Sequence, residues 1–176
     1  MELLKAIATR KAVRAFQARQ IDDGDLNTIL AAGCAAPVGM NAYDNMHFTV
    51  IQQSELLEKI EKAAAKVIPM PGFSAFYGAP TVVIVSAKPS AMVPNLEYAN
   101  AACMIENMLL AATDLGLGSI YLWGFLVAFD SDADLKQQLD LPADFNPVSA
   151  AAFGYAVQTG ATEKELTVSV GTRRIR

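Results

Sequence analysis

The stretch Glu97–Gly124, EYANAACMIENMLLAATDLGLGSIYLWG, decides the fold. Its part Tyr98–Leu115 is dominated by Ala, Leu, Ile, Met and Cys, which are for the most part good helix formers, and this predicts a helix of about five turns. A helix that is apolar on nearly every side belongs in a protein core. Gly116 and Gly118 then end the helix, and Ser119–Trp123 is predicted to be a buried strand.

The polar residues of this helix are ordered. Asn100, Asn107 and Asp114 recur every seven residues, two turns apart, and Glu106 and Thr113 lie beside them. They form one narrow polar stripe on an otherwise apolar helix. We therefore expect the stripe to face a polar neighbour.

The composition suits one domain with a large core. The chain has 176 residues, 53% of them hydrophobic, and a mean hydropathy of +0.27, which is high for a soluble monomer and predicts a homodimer. Charged residues interrupt the most apolar region, so we expect no membrane span. The N-terminus MELLKAIATRK has no signal-peptide pattern, and we expect a cytoplasmic protein.

The charge distribution is uneven. A net charge of −4 argues against nucleic-acid binding. All six arginines lie near the two ends of the chain: Arg10, Arg14, Arg19, Arg173, Arg174 and Arg176. Guanidinium groups bind phosphate in a bidentate manner, so the two ends could meet around one anion, although terminal arginines are also often simply solvated.

The remaining pattern predicts a layered α/β or α+β fold in which strands alternate with helices. Further helices are predicted at Glu2–Thr9, at Asp25–Cys34 with Asp22 or Asp23 as cap, from a Ser54 cap to Val67, and from a Ser131 or Asp132 cap to Leu139. Further strands are predicted at His47–Gln52, Thr81–Ser86, Val148–Val157 and Thr167–Val170. The loop Ile68–Gly78 carries aromatic residues that suit a cover over a ligand.

The sequence offers few catalytic side chains. The lone His47 is expected to be structural, and Cys34 and Cys103 are expected to be reduced thiols without metal-ligand spacing. No serine-hydrolase or metal-binding motif is present. An enzyme of this kind would take its chemistry from a cofactor, and the arginines, the loop amides and the aromatic residues together indicate a phosphorylated, planar one.

Four segments resemble the nitroreductase family. Thr9–Phe16 (TRKAVRAF) is similar to the family's basic signature after the first helix, and Ala36–Asn41 (APVGMN) to its Pro-Ser-x-x-Asn loop. Gly78–Val85 (GAPTVVIV) is similar to the opening of a family strand, and Leu110–Ser119 (LAATDLGLGS) is very similar to the family's LAAxxLGLGS segment. The segments occur in the family's order and cover most of the chain.

The resemblance implies an α+β protein with a three-layer α/β/α fold, a central mixed or antiparallel sheet and a homodimeric assembly. It implies a single domain over residues 1–176, with a C-terminal tail that reaches toward the partner subunit. The cofactor would be FMN, reduced by NADH or NADPH. The FMN phosphate and ribityl chain would be held by Arg10, Lys11 and Arg14 with Arg173 and Arg174.

The resemblance also assigns the flavin contacts. The residues that would approach the flavin from the partner subunit are Pro37, Val38, Gly39, Met40 and Asn41. The residues that would lie along the isoalloxazine, with a backbone N–H near N5, are Leu122, Trp123 and Gly124. No side chain is assigned as a catalytic acid or base, and no metal is expected.

The resemblance implies electron transfer from NAD(P)H to nitroaromatic, quinone or similar acceptors by a ping-pong scheme. Two alternatives stay open: another flavin reaction on the same fold, such as reductive dehalogenation or ring oxidation, and a non-catalytic flavin-binding or sensing protein. In a homodimer, part of the apolar helix would pack against its copy. Asn100, Asn107 and Asp114 would then make either polar contacts at that junction or ordinary internal hydrogen bonds.

Overall fold

The computed structural model describes residues 2–158, 160 and 162–176. The helices are α1 (Leu3–Thr9), α2 (Asp23–Cys34), α3 (Ser54–Val67), α4 (Leu96–Asp114), α5 (Val127–Ser131) and α6 (Ala133–Gln137). The strands are β1 (Met46–Ile51), β2 (Thr81–Ala87), β3 (Gly118–Leu122) and β4 (Asn146–Gly154). Short 3₁₀ turns occupy Gly39–Asn41, Tyr43–Asn45 and Gly124–Leu126.

The four strands form one antiparallel sheet in the order β1-β2-β4-β3. Every residue of β2 is buried, as its run of β-branched residues predicts. β4 lies between β2 and β3, which confirms the prediction of a central strand near Val148–Val157. Its small residues Ala150, Ala151 and Ala152 are fully buried, and they allow helices to pack closely on both faces.

Helices cover both faces of the sheet. Side chains alternate along a strand, so Val83 and Val85 pack with α2 and α4 on one face. Val82 and Ile84 pack with α3 and α5 on the other face. The fold is therefore the expected three-layer α/β/α arrangement with mixed α+β composition.

α4 matches its prediction in length and in its end. The N–H of Leu117 donates to the carbonyl of Ala112 at 2.8 Å, and that of Gly116 to Thr113 at 3.1 Å, which is the Schellman ending of a helix. Gly116 has a φ of +75°, in the left-handed region that favours glycine. The prediction that the helix ends here is confirmed for Gly116, whereas Gly118 is the first residue of β3.

The expectation that α4 is buried on all sides holds for only one face within a single chain. Met104, Ile105 and Met108 lie in the core, whereas Ala102 and Cys103 are exposed. These two exposed residues are small and apolar, and they make no contribution to the core of their own chain. Burial of this face therefore requires something other than the chain itself.

Two predictions about local structure are wrong. Thr167–Val170 forms no strand, and its residues are exposed. A strand needs a neighbour, and the outer edge of β3 is already met by Ala12, which bridges Ser119. Phe76 of the aromatic loop does not cover a ligand, because it is buried and contacts the ring of Phe125 at a centroid distance of 5.7 Å.

The helix caps were predicted with mixed success. Asp22 caps α2 by accepting from the N–H of Asp25, and Asp132 caps α6 by accepting from Asp134 and Leu135. Ser54 is the first residue of α3 and not its cap, since Gln53 occupies the cap position. The region before Asp132 also forms a separate short helix, α5, that the sequence did not reveal.

Candidate functional site

The first component of the site is the basic segment, Arg10–Arg14, which follows α1. The N–H of Val13 donates to the carbonyl of Ser119 at 3.0 Å, and the N–H of Gln17 donates to Tyr155 at 2.8 Å. These bonds hold the segment against the start of β3 and the end of β4. The basic side chains consequently lie at that end of the sheet.

The charges of the basic segment differ in their contacts. Arg10 is half-buried, and its Nε lies 3.6 Å from the Glu106 carboxylate on α4. Lys11 Nζ donates to the carbonyl of Gly160 at 2.5 Å. Arg14 is exposed. The group of cations is suited to an anion, because Arg and Lys form charge-assisted hydrogen bonds with phosphate.

A cavity lies beside the basic segment, with a volume of about 510 Å³. Lys11, Val13, Gly118 and Tyr155 are among the residues that line it. The volume is within the range typical of small-molecule sites. Of the three cations of the basic segment, Lys11 therefore borders a concave surface.

The second component is the amide loop, Pro37–Asn41. Met40 and Asn41 have positive φ values of 60° and 54°, so the backbone turns sharply there. Asn100, a buried residue of α4, accepts a hydrogen bond from the N–H of Gly39 at 2.8 Å. A Cβ at Gly39 would lie 2.7 Å from Leu96 Cδ1 and 3.3 Å from Asn100 Oδ1, so a side chain there would displace the end of Leu96.

The third component is the β3 exit, Leu122–Gly124. Leu122 is buried in the core, and Phe125 is buried beyond the turn, so both sides of the exit are anchored. Trp123 and Gly124 between them are exposed. The exit lies at the opposite end of β3 from the basic segment.

The tail, residues 162–176, brings no arginine to this site within one chain. Its start is fixed to α1, where the N–H of Lys164 donates to the carbonyl of Ala8 at 3.0 Å. Arg173 and Arg174 are exposed. Across residues 2–158, 160 and 162–176, no hydrogen bond or ion pair joins either of them to the basic segment.

The polar stripe of α4 makes polar contacts within the chain. Asn100 accepts from Gly39, and Asn107 donates to the carbonyl of Ala32 at the end of α2 at 3.1 Å. Glu106 faces Arg10, which confirms that the stripe has polar neighbours. The seven-residue spacing predicted that the stripe has polar neighbours, but it did not predict which segments of the chain supply them.

The other candidates have no part in this site. His47 packs edge-on against Phe145 at a centroid distance of 6.1 Å, as expected for a structural residue. Cys34 and Cys103 are free thiols. In the part of the chain that the structure describes, no three His, Cys, Asp or Glu residues form a group able to hold a metal ion. No described helix is long and apolar enough to cross a membrane.

Comparison with known proteins agrees with this arrangement. Residues 7–155 match the family model described as the nitroreductase family. A protein of Archaeoglobus fulgidus, provisionally named NADH dehydrogenase/NAD(P)H nitroreductase, is 32% identical over 154 residues, which are 88% of this chain and 85% of that protein.

Solved structures share the fold. A nitroreductase with bound FMN from Bacteroides fragilis is 36% identical, with a TM-score of 0.80 over 99% of this chain and 98% of that one. A nitroreductase with bound FMN from Desulfitobacterium hafniense is 24% identical and has the same fold, with a TM-score of 0.83 over 99% of this chain and all of that one. The chain therefore belongs to the nitroreductase family of oxidoreductases.

Proposed function

We propose that this protein is an FMN-dependent oxidoreductase that passes electrons from NADH or NADPH to nitroaromatic, quinone or similar acceptors by a ping-pong mechanism. One observation carries the proposal: the basic segment and the exposed β3 exit lie at opposite ends of one strand. FMN is elongated, with a charged phosphate at one end and a planar ring at the other. The Bacteroides fragilis relative, 36% identical, is named as a nitroreductase with bound FMN.

The residues fit FMN by their chemistry. Arg10, Lys11 and Arg14 offer the cations that a phosphate needs. In the proposed dimer, Arg173 and Arg174 join them from the tail, which reaches across between the two subunits. The β3 exit offers backbone amides and an exposed ring. Bound FMN supplies hydride chemistry at its ring system, a capacity that the protein's own side chains lack.

In this proposal, the chain's own residues bind the FMN phosphate, orient the flavin ring and shield the ring from solvent. The basic segment holds the phosphate, and the exit Leu122–Gly124 orients the ring through its backbone, because the side chain of Leu122 lies in the core. The amide loop Pro37–Asn41 closes over the ring from the partner subunit. No side chain is assigned as a catalytic acid or base, and water supplies protons.

We propose that the active form is a homodimer of one-domain chains spanning residues 1–176. The exposed face of α4 and a groove lined by Leu3, Ala6, Ala32 and Leu110 supply apolar surface for the partner. The tail, with its exposed apolar side chains, reaches toward that partner. Both cysteines are free, as expected in a reducing compartment, and we place the dimer in the cytoplasm.

The absorption spectrum of the purified protein tests the cofactor. Flavin bands are expected as purified or after incubation with FMN, and they should bleach on anaerobic addition of NADH or NADPH. A protein that stays colourless with excess FMN contradicts the proposal. Flavin that does not bleach indicates another flavin reaction, and flavin that bleaches but has no acceptor indicates a non-catalytic binding protein.

The Arg10→Ala/Arg14→Ala double variant tests the phosphate contacts. We expect FMN affinity to fall at least tenfold, because each charge-assisted hydrogen bond contributes about 1.5–3 kcal/mol. For the unmodified protein, affinity should fall as salt rises, whereas the variant should show a weaker salt dependence. The matched control is Arg19→Ala, since Arg19 lies over the ring of Tyr155 and not in the basic segment. Equal affinity in the double variant and the control would reject the assignment.

A further inference from the structure

Two large aromatic side chains contact each other at the protein surface. Tyr98, in the first turns of α4, and Trp123, at the β3 exit, have ring centroids 5.6 Å apart and planes inclined by 32°. They are 40% and 52% exposed, respectively. Their neighbour Phe125 is 1% exposed, so the same turn buries one aromatic ring and displays another.

The pair is fixed in place from both sides. Trp123 lies between two buried residues, Leu122 and Phe125, with Gly124 intervening. Tyr98 belongs to the end of α4 where Asn100 binds the amide loop. Within one chain, the ring pair therefore lies between the β3 exit and the end of α4 that holds the amide loop.

Neither ring of the pair carries a cation. The one cation–ring contact in the described part of the chain is Arg19 over Tyr155. The adjacent acid, Glu97, turns its carboxylate toward the N–H of Ser90 at 3.4 Å. The pair therefore offers a ligand two uncharged aromatic rings. Aromatic rings of this kind pack favourably against another aromatic ring.

We propose that Tyr98 and Trp123 form an acceptor-binding surface that selects neutral, planar aromatic oxidants over non-aromatic ones. This inference rests on the proposed function, and it adds the residues that set acceptor preference. Both residues act by stacking on the acceptor beside Gly124. An aromatic contact of this kind corresponds to a roughly two- to tenfold change in affinity.

The test uses the FMN-loaded protein and two oxidants. The probes are 4-nitroacetophenone, which is neutral and planar, and ferricyanide, which has no aromatic ring. For Tyr98→Leu, we expect the ratio of kcat/KM for 4-nitroacetophenone to that for ferricyanide to fall three- to tenfold. Tyr98→Phe keeps the ring and should restore the ratio. Tyr121→Leu, at an exposed tyrosine of β3, is the matched control and should leave the ratio unchanged.

Equilibrium binding gives a second readout. Without reductant no turnover occurs, so the dissociation constant of 4-nitroacetophenone for the oxidised holoprotein can be measured from the perturbed flavin spectrum. We expect Tyr98→Leu to raise it three- to tenfold, and Trp123→Leu to raise it at least as much.

The outcomes separate this inference from the proposed function. A wild-type protein without flavin, or with flavin that NAD(P)H does not bleach, rejects the proposed function. If flavin binds and bleaches, but both oxidants lose efficiency equally in Tyr98→Leu or neither does, the surface does not select the acceptor and the inference is wrong. Loss of selectivity in Tyr98→Phe as severe as in Tyr98→Leu would also reject it, because stacking needs only the ring.

Discussion

At the scale of single residues, Asn100 links the core to the candidate site. It is buried on α4, and its Oδ1 accepts from the N–H of Gly39 in the amide loop. The substitution Asn100→Ala leaves a half-buried N–H without its acceptor, so we expect the free energy of unfolding to fall by about 1–3 kcal/mol. Denaturation in urea measures this change.

The same variant should also weaken FMN binding, because the loop that we propose closes over the ring loses its anchor. The control is Asn107→Ala, which removes the bond from Asn107 to the carbonyl of Ala32 outside the loop. We expect both variants to lose stability and only Asn100→Ala to lose FMN affinity, by about three- to tenfold for one hydrogen bond. Equal affinities in the two variants would mean that Asn100 does not position the loop.

Gly116 is a second residue whose role is local. Its φ of +75° lies in the left-handed region, and a Cβ there would meet no atom within 4 Å. The cost of Gly116→Ala is therefore conformational and not steric, and we expect about 1 kcal/mol of destabilisation, measured by thermal unfolding. Gly171→Ala, in the exposed tail, has equal space and no positive φ, and should change the melting temperature very little.

At the scale of elements, α2 and α4 pack closely because Gly33 has no side chain. A Cβ at Gly33 would lie 2.3 Å from Met108 Cε and 3.3 Å from Phe48 Cζ. A methyl group displaces only the flexible end of Met108, but the branched side chain of Gly33→Val should separate the helices. We expect a loss of about 1–3 kcal/mol in the free energy of unfolding.

The control for this packing is Ala31→Val, at an exposed position of the same helix. It introduces the same side chain into the same helix without entering the contact with Met108. Helix propensity alone would make Ala31→Val slightly destabilising and Gly33→Val slightly stabilising, so a larger loss in Gly33→Val comes from packing. Urea denaturation of both variants isolates the packing cost. If the two lose equal stability, the close approach at Gly33 is not what holds α2 against α4.

The sequence predicted well those helices and strands whose formation depends on residues close together in the chain. α4 follows from its helix formers and ends at a left-handed glycine, and β2 follows from a β-branched run that is buried throughout. The prediction failed where the cause was not local. Phe76 belongs to a loop whose composition suits a cover over a ligand. It packs in the core instead, because it contacts the ring of Phe125, which is distant in sequence.

The candidate site shows the same division. The cations of the basic segment and the exposed Trp123 were identified from residue type and resemblance. The residues that contact the basic segment and the amide loop were not identified from the sequence. Glu106 lies 96 positions from Arg10, and Asn100 lies 61 positions from Gly39. Such pairings depend on how helices pack around the sheet, and the pattern along one segment does not encode them.

At the scale of the whole molecule, several large apolar side chains stay exposed on the single chain. Leu3 and Leu4 are each 67% exposed on α1, and Val168 and Val170 of the tail are more exposed still, at 78% and 74%. Thr167–Val170 has the composition of a strand but no neighbour in its own chain. In the homodimer that we propose, a partner subunit covers α1 and α4 and is a neighbour of the tail.

Removal of residues 166–176 tests this arrangement. The truncated chain keeps the bond from Lys164 to Ala8, and its core should fold as before, because the deleted residues are exposed and pack against nothing in the chain's core. We expect an unchanged circular dichroism spectrum and a dimer dissociation constant at least tenfold higher in sedimentation equilibrium, since burial of two or three apolar side chains contributes several kcal/mol.

A full-length Arg173→Ala/Arg174→Ala variant separates the two roles of the tail. It keeps every apolar side chain, so the dimer should remain intact. FMN affinity should fall and depend less on salt, because the variant loses the two cations that we propose to lie near the phosphate. A truncated chain that dimerises as strongly as the full chain would contradict a tail that reaches its partner. Unchanged FMN affinity in the arginine variant would confine the phosphate site to the basic segment at the start of β3.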